Sequence, residues 1–215
     1  MDVHGFTVGP VAENCFFAAR DGATQAIVID PGDEPGRLIE AVEDLGYAVE
    51  AILLTHTHFD HVGAVAPLAR HTGAPVYCPE LEKGVLADIM AFVPWPGFGP
   101  FESYDADELV SGGEKLALAG FDIDVLFTPG HSPGHVTYSI PAEGALFSGD
   151  VLFQGSVGRT DLPGGDTPTL MRTLADLVAR FDDETVVYPG HMGVTTIGQE
   201  RATNPFLRDV ASRTP

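Results

Sequence analysis

The chain has 215 residues, enough for one domain with a substantial core, and no long polar or low-complexity tract marks a linker. It carries 31 Asp and Glu against 11 Lys and Arg, a formal charge of -20, with only two lysines, Lys83 and Lys115. No basic stripe exists to release counterions from a phosphate backbone, which disfavours nucleic acid as a partner, and the charge serves solubility.

The N-terminus, Met1-Asp2-Val3-His4-Gly5, lacks the basic start and apolar core of a signal peptide, and no apolar run approaches the ~18 residues of a membrane span. The expectation is a single domain over 1–215, cytoplasmic, with no membrane partner. Phe6–Val8, Cys15–Ala19 and Ala26–Ile29 are short β-rich runs separated by Gly, Pro, Asn and Asp, which predicts an opening strand meander ended by Pro31-Gly32-Asp33. Leu38, Ile39, Val42 and Leu45 recur at helical spacing, so Pro35 to Leu45 reads as a helix with Pro in its first turn and Gly46 as its stop. A strand, Ala51–Leu54, follows. Val65, Leu68 and Ala69 begin another helix with Pro67 in its first turn, which leaves Thr55 to Gly63 as a strand-to-helix loop. Cys15 and Cys78 form no ligand-like pair and read as buried thiols.

That loop carries the chemistry. Thr55-His-Thr-His-Phe-Asp-His61 packs three histidines and a carboxylate into six positions, a density with little use in packing and suited to zinc, iron or manganese. On an extended segment His56 and His58 share a direction, while Asp60 and His61 are offset towards another point, so the spacing suggests two metals. Further along, Asp124–Gly130 leads to His131, Gly144–Gly149 to Asp150 and Thr185–Gly190 to His191: each is a strand, a turn, then a ligand. Four strand ends thereby supply seven candidate ligands, placed where loops of α/β proteins converge. His4, His71 and His135 are assigned no ligand role; His135, in Pro129-Gly-His-Ser-Pro-Gly-His135, is the nearest to one and is expected behind the ligands.

The H-x-H-x-D-H cluster followed by His131, Asp150 and His191 resembles the metallo-β-lactamase superfamily, and Glu13-Asn14-Cys15, Ser148-Gly149-Asp150, Gly158–Gly165 and Asn204–Leu207 are similar to its glyoxalase II-like, single-domain hydrolases. The resemblance implies an α/β fold, an αββα sandwich of two mixed sheets flanked by helices. It also implies two divalent metal ions, zinc first with iron or manganese as alternatives: His56, His58 and His131 on one, Asp60, His61 and His191 on the other, Asp150 bridging. It makes Asp60, on which the second ion depends, the catalytic candidate. Asp150 stands where true β-lactamases often carry a metal-binding cysteine, which points away from antibiotic hydrolysis.

Two cations sharing a water lower its pKa from ~15.7 towards neutrality, making a bridging hydroxide the expected nucleophile. A thiolate leaves with a pKa of ~8.5 and needs little protonation, whereas an alkoxide or amine calls for a placed acid. No such acid stands apart from the ligands, although five tyrosines keep a lactonase open. The expected substrate is a small-molecule 2-hydroxyacyl thioester, lactoylglutathione-like. Two-domain glyoxalase II enzymes hold glutathione with a C-terminal helical domain for which the residues after His191 leave no room, so the thiol carrier is left open. A mononuclear iron persulfide dioxygenase using His56, His131 and Asp150 is the main alternative. Arg159 is a candidate for a substrate carboxylate, or else braces its loop through Asp161 or Asp166. Trp95, within the Pro- and Gly-rich, aromatic stretch from Val93 to Tyr104, is a candidate pocket wall on a lid; the competing expectation is a loop packing its aromatics on the core.

Overall fold

The structure, a computed structural model, describes residues 1–207. Strands β1 (Asp2–Val8), β2 (Glu13–Ala19) and β3 (Gln25–Ile29) form the predicted antiparallel meander, each reaching a little further towards the N-terminus than its apolar run. Helix α1 spans Pro35–Leu45 with the predicted bounds, Pro at its start and Gly46 closing it in the left-handed conformation. It crosses over to β4 (Ala48–Leu53), which lies parallel to β3. The segment expected to be wholly loop, Thr55 to Gly63, contains one helical turn, α2 (Phe59–Val62), before α3 (Val65–Thr72). Four residues carry too little periodicity to announce a helix. Next come β5 (Val76–Pro79), a 3-10 turn (Glu80–Glu82), α4 (Lys83–Leu86), α5 (Ile89–Phe92) and β6 (Glu108–Val110), completing a six-stranded sheet in chain order.

The second half comprises β7 (Lys115–Leu118), β8 (Phe121–Phe127), β9 (Val136–Ile140), β10 (Ala145–Gly149), a small hairpin of β11 (Leu152–Phe153) and β12 (Ser156–Val157), α6 (Thr167–Arg180), β13 (Val186–Pro189), β14 (Thr195–Thr196) and α7 (Ile197–Thr203). Its six-stranded sheet has the order β14-β13-β10-β9-β8-β7, with β10 and β13 parallel and the other neighbours antiparallel.

The period-2 geometry of strands sorts the side chains into layers. Phe16, Ala18, Ile27, Ile29, Ala51 and Leu53 face Ile123, Val125, Tyr138, Ile140 and Phe147 across the inter-sheet core. Their immediate neighbours Phe17, Val28 and Ile52 point the other way, onto Leu38 and Val42 of α1 and Val65 and Leu68 of α3. On the far side Leu146 and Val187 meet Leu170, Leu174 and Leu177 of α6. The layers are therefore α, β, β, α, as expected, and each fully buried aliphatic or aromatic side chain contributes roughly 1.5–3 kcal/mol. No helix among the described residues is long and apolar enough to cross a membrane.

Candidate metal centre

Every candidate ligand stands just beyond a strand end at one edge of the sandwich. From the first sheet, β3 runs into Asp30, β4 into Thr55–His61 and β5 into Glu82; from the second, β8 leads to His131, β10 to Asp150 and β13 to His191. The loops bring all seven predicted residues together.

Two clusters result. His56, His58 and His131 converge through one ring nitrogen each, with His56 Nε2 3.1 Å from His58 Nδ1, and His131 Nε2 3.2 Å and 2.8 Å from those two. Asp60, His61 and His191 form the second, with Asp60 Oδ2 3.3 Å from His191 Nε2 and 3.8 Å from His61 Nε2. Asp150 lies between them: Oδ1 is 3.3 Å from His61 Nε2, and Oδ2 is 3.5 Å from His131 Nε2 and 3.6 Å from His191 Nε2.

The surrounding hydrogen bonds fix which nitrogens carry lone pairs. His131 Nδ1 donates to the Arg159 carbonyl at 2.8 Å and His191 Nδ1 to the Ala12 carbonyl at 3.3 Å, since a carbonyl only accepts. Thr55 Oγ1 donates to Asp30 Oδ2 at 2.6 Å and therefore accepts from His56 Nδ1 at 3.1 Å. His61 Nδ1 donates to the same Asp30 oxygen at 3.0 Å. The Nε2 atoms of His56 and His131 thus face each other as lone pairs, and those of His61 and His191 face carboxylate oxygens. Such contacts are repulsive unless a cation or proton lies among them. His61 Nε2 and Asp150 Oδ1 are buried with no hydrogen-bond partner, as expected of atoms shaped to meet an ion. The donor set of imidazoles and carboxylates, with the imidazoles of His56, His61, His131 and His191 held from behind, fits one divalent ion per cluster.

Electrostatics separates the clusters. Burial, reinforced by His61 and His58, pushes His56 well below the usual imidazole range, and burial with His131 nearby takes His58 down to about 4, so these two imidazoles are neutral and ready to ligate. In the other cluster burial opposes charge but is outweighed: His61 and His131 hold Asp150 well below the usual carboxylate range, His61 and His191 hold Asp60 down, and Asp150 and Asp60 lift His61 well above the ordinary imidazole value. The ionised carboxylates of that cluster favour a positive charge on His61, in the place a cation would take.

The remaining sequence candidates fall into place around these groups. His135 is no member of either trio: Nε2 accepts the Asp150 amide N–H at 3.1 Å, Nδ1 pairs with Thr128 Oγ1 at 2.9 Å, and the ring stacks on His56 at 5.0 Å. Arg159 forks onto Asp161, Nε at 2.6 Å and Nη2 at 2.7 Å, so the bracing role is present, and its guanidinium also lies over the Trp95 ring at 5.6 Å. The Val93–Tyr104 stretch divides its aromatics: Phe98, Phe101 and Tyr104 pack on the helical core, while Trp95 lines the cavity before the metal centre. Cys15 and Cys78 are buried thiols, as expected.

Sequence reasoning missed three carboxylates. Asp30 accepts the Thr55 N–H at 2.7 Å besides the bonds above, Glu82 accepts from Thr57 and Gly134, and Glu13 lies buried 3.7 Å from His61 Nδ1. Asp30 directly follows β3, and Glu82 closes the 3-10 turn after β5, so both stand beyond strand ends as the proposed ligands do.

A cavity of about 700 Å³ opens onto both clusters. His58, Asp60, His131, Asp150 and His191 line its polar end, Phe59, Val85, Ile89 and Trp95 are among its apolar wall, and Arg159 is the one lysine or arginine among the described residues that line it.

The chain was compared with known proteins. Residues 8–191 match the family model of the metallo-beta-lactamase superfamily. The hydroxyacylglutathione hydrolase GloC of Haemophilus influenzae is 36% identical over 96% of this chain and 98% of its own. Two solved structures are similar throughout: the B3 metallo-beta-lactamase BLEG-1 (38% identity, 96% of this chain and 99% of that one, TM-score 0.90) and TTHA1623 in a di-iron-bound form (42% identity, 95% and 100%, TM-score 0.84). Both the family match over most of the chain and the relatives of equal length lead to one assignment: the chain belongs to the metallo-β-lactamase superfamily.

Proposed function

We propose that the protein is a binuclear metal-dependent hydrolase of small 2-hydroxyacyl thioesters. His56, His58 and His131 hold one divalent ion, Asp60, His61 and His191 the other, and Asp150 joins the two. When bound, the ions supply a water acidic enough to be deprotonated near neutral pH and an electrophilic rest for the substrate carbonyl. The protein's own part is to keep the imidazoles of His56, His61, His131 and His191 in the ligating tautomer and to remove bulk water from one side of the substrate with the Phe59–Trp95 wall.

The observation that carries the thioester reading is the cavity lining. Among the described residues it contains no tyrosine and no lysine, and the titratable groups that line it besides the proposed ligands are Glu82, whose carboxylate is engaged by backbone and hydroxyl donors, and Arg159. None of the five tyrosines that kept other leaving groups open lines the cavity: Tyr138 donates to the Leu54 carbonyl at 2.9 Å, Tyr104 to Asp107 at 3.0 Å, and Tyr47, Tyr77 and Tyr188 pack against the cores. With no placed proton donor, the leaving group that departs most readily as an anion is favoured, and a thiolate does so. The GloC relative acts, by its name, on a compound of this class.

The test is a substrate panel on purified protein with metal content determined by elemental analysis. We expect two metals per chain and faster turnover of lactoylglutathione and its analogues on other thiols than of a lactone or a β-lactam, the last included because of the likeness to BLEG-1. A single iron with sulfur-dependent oxygen uptake, or a β-lactam preferred over every thioester, overturns the reading.

A further inference from the structure

Glu82 is buried, 4% exposed, yet it belongs to neither cluster. It ends the 3-10 turn that follows β5 and points its carboxylate between two loops from different sheets. Oε2 accepts the Thr57 N–H at 2.7 Å and the Thr57 hydroxyl at 3.1 Å; Oε1 accepts the Gly134 N–H at 2.8 Å and the Ser132 hydroxyl. Thr57 is the residue between His56 and His58. Ser132 is the residue after His131. All four donors therefore belong to the two loops whose imidazoles make the first cluster, and one carboxylate takes them all. Gly134 belongs to the same fit, because a Cβ there would lie 2.7 Å from Glu82 Cγ and 3.0 Å from Leu81 Cβ.

Four donors from two loops converge on one buried side chain, so the bracket holds the loops at one separation. The gap it spans is the one that decides whether His131 Nε2 approaches His58 Nδ1 and His56 Nε2 closely enough to share an ion. Nothing else in the described structure ties Thr57 and Ser132 together through a single side chain.

We propose that Glu82 is a positioning residue for the His56–His58–His131 site: by fixing the separation of the two loops it sets the affinity and coordination geometry of the ion held there. The proposal rests on the ligand assignment above but not on the substrate. Its test uses cobalt(II), which fills such sites and reports geometry through its d–d absorption, read with a chelator competition for each ion. Glu82→Gln keeps size and one carbonyl acceptor but turns an amide towards donors. It should weaken the first ion about 10- to 100-fold, the range for residues that orient ligands, and change the cobalt spectrum, while the second ion is held as in the wild type. Ser132→Ala, which removes one donor, should shift the spectrum in the same direction by less, and combined with Glu82→Gln should add little. Ser132→Ala also keeps the test decisive if Glu82→Gln fails to fold. Wild-type affinity and spectrum in both variants overturn the proposal, as does equal weakening of both ions, which would make Glu82 a general brace. Hydrolysis assays play no part in the outcome, so failure of the thioester reading is seen separately.

Discussion

Asp30 shows how much one carboxylate can organise from behind a metal centre. Its two oxygens take the Thr55 N–H, the Thr55 hydroxyl and the His61 Nδ1–H, and its backbone sits in the left-handed region at φ 48°, a conformation Asp tolerates better than most residues. Asp30→Asn leaves an amide facing groups that must donate, so His61 is free to flip its tautomer. Metal titration should show the second ion bound about 10- to 100-fold more weakly and the first weakened as well, because the Thr55 hydroxyl that holds His56 loses its acceptor; unchanged binding of the second ion would remove Asp30 from the mechanism. Gly190 offers a steric counterpart. A Cβ at that position would fall on Asp150 Oδ1 and His61 Cε1, so Gly190→Ala should empty the second site, by elemental analysis, while circular dichroism stays native-like. The seven proposed ligands were legible because His and Asp crowd into Thr55–His61 and recur after strand-turn segments. Asp30, Glu82 and Glu13 were not, because each is a single acid in a chain with 31 and its meaning lies in a partner 25 or more residues away.

Among the elements, the Val93–Tyr104 stretch shows both properties expected of it in alternation. Phe101 stacks on Phe59 at 5.9 Å and packs with Phe98 on the helical core, whereas Trp95 remains 40% exposed, edge-on to Phe59 and capped by the Arg159 guanidinium. Trp95→Ala should therefore raise KM several-fold while changing Tm little, and Phe101→Ala should do the reverse, costing on the order of 2 kcal/mol because a half-buried ring is lost from the core. If Trp95→Ala instead lowers Tm and leaves KM alone, the segment is packing only. An element long enough to show a period was legible: α1 has its predicted bounds. The helical turn α2 and the two-residue strands β11, β12 and β14 were not, since they exist through tertiary contacts and carry no pattern of their own.

The two sheets divide the proposed ligands between them, which gives the ions a structural consequence. His56, His58, Asp60 and His61 hang from the first sheet, His131, Asp150 and His191 from the second, and each cluster draws on both. Each ion would thus cross-link the halves at one edge of the sandwich, while the inter-sheet core of Phe16, Ile27, Tyr138 and Phe147 holds them elsewhere. Without ions, that edge is left with facing lone pairs and buried carboxylates in a chain that already carries a charge of -20. Linkage sets the size of the effect: a ligand present at 100 times its Kd stabilises the folded state by ~2.7 kcal/mol. At that figure for each of two ions and roughly 2–4 °C per kcal/mol for a chain of this length, chelation should lower Tm by about 10–20 °C, and restoring the metal should recover it. Hydrogen exchange localises the change. After chelation, amides of 55–61, 130–135 and 189–192 should exchange faster, whereas β1, β9 and the inner turns of α6 should keep their protection. Uniform acceleration across both sheets, or a Tm indifferent to verified metal removal, would mean that the ions serve the chemistry without joining the halves.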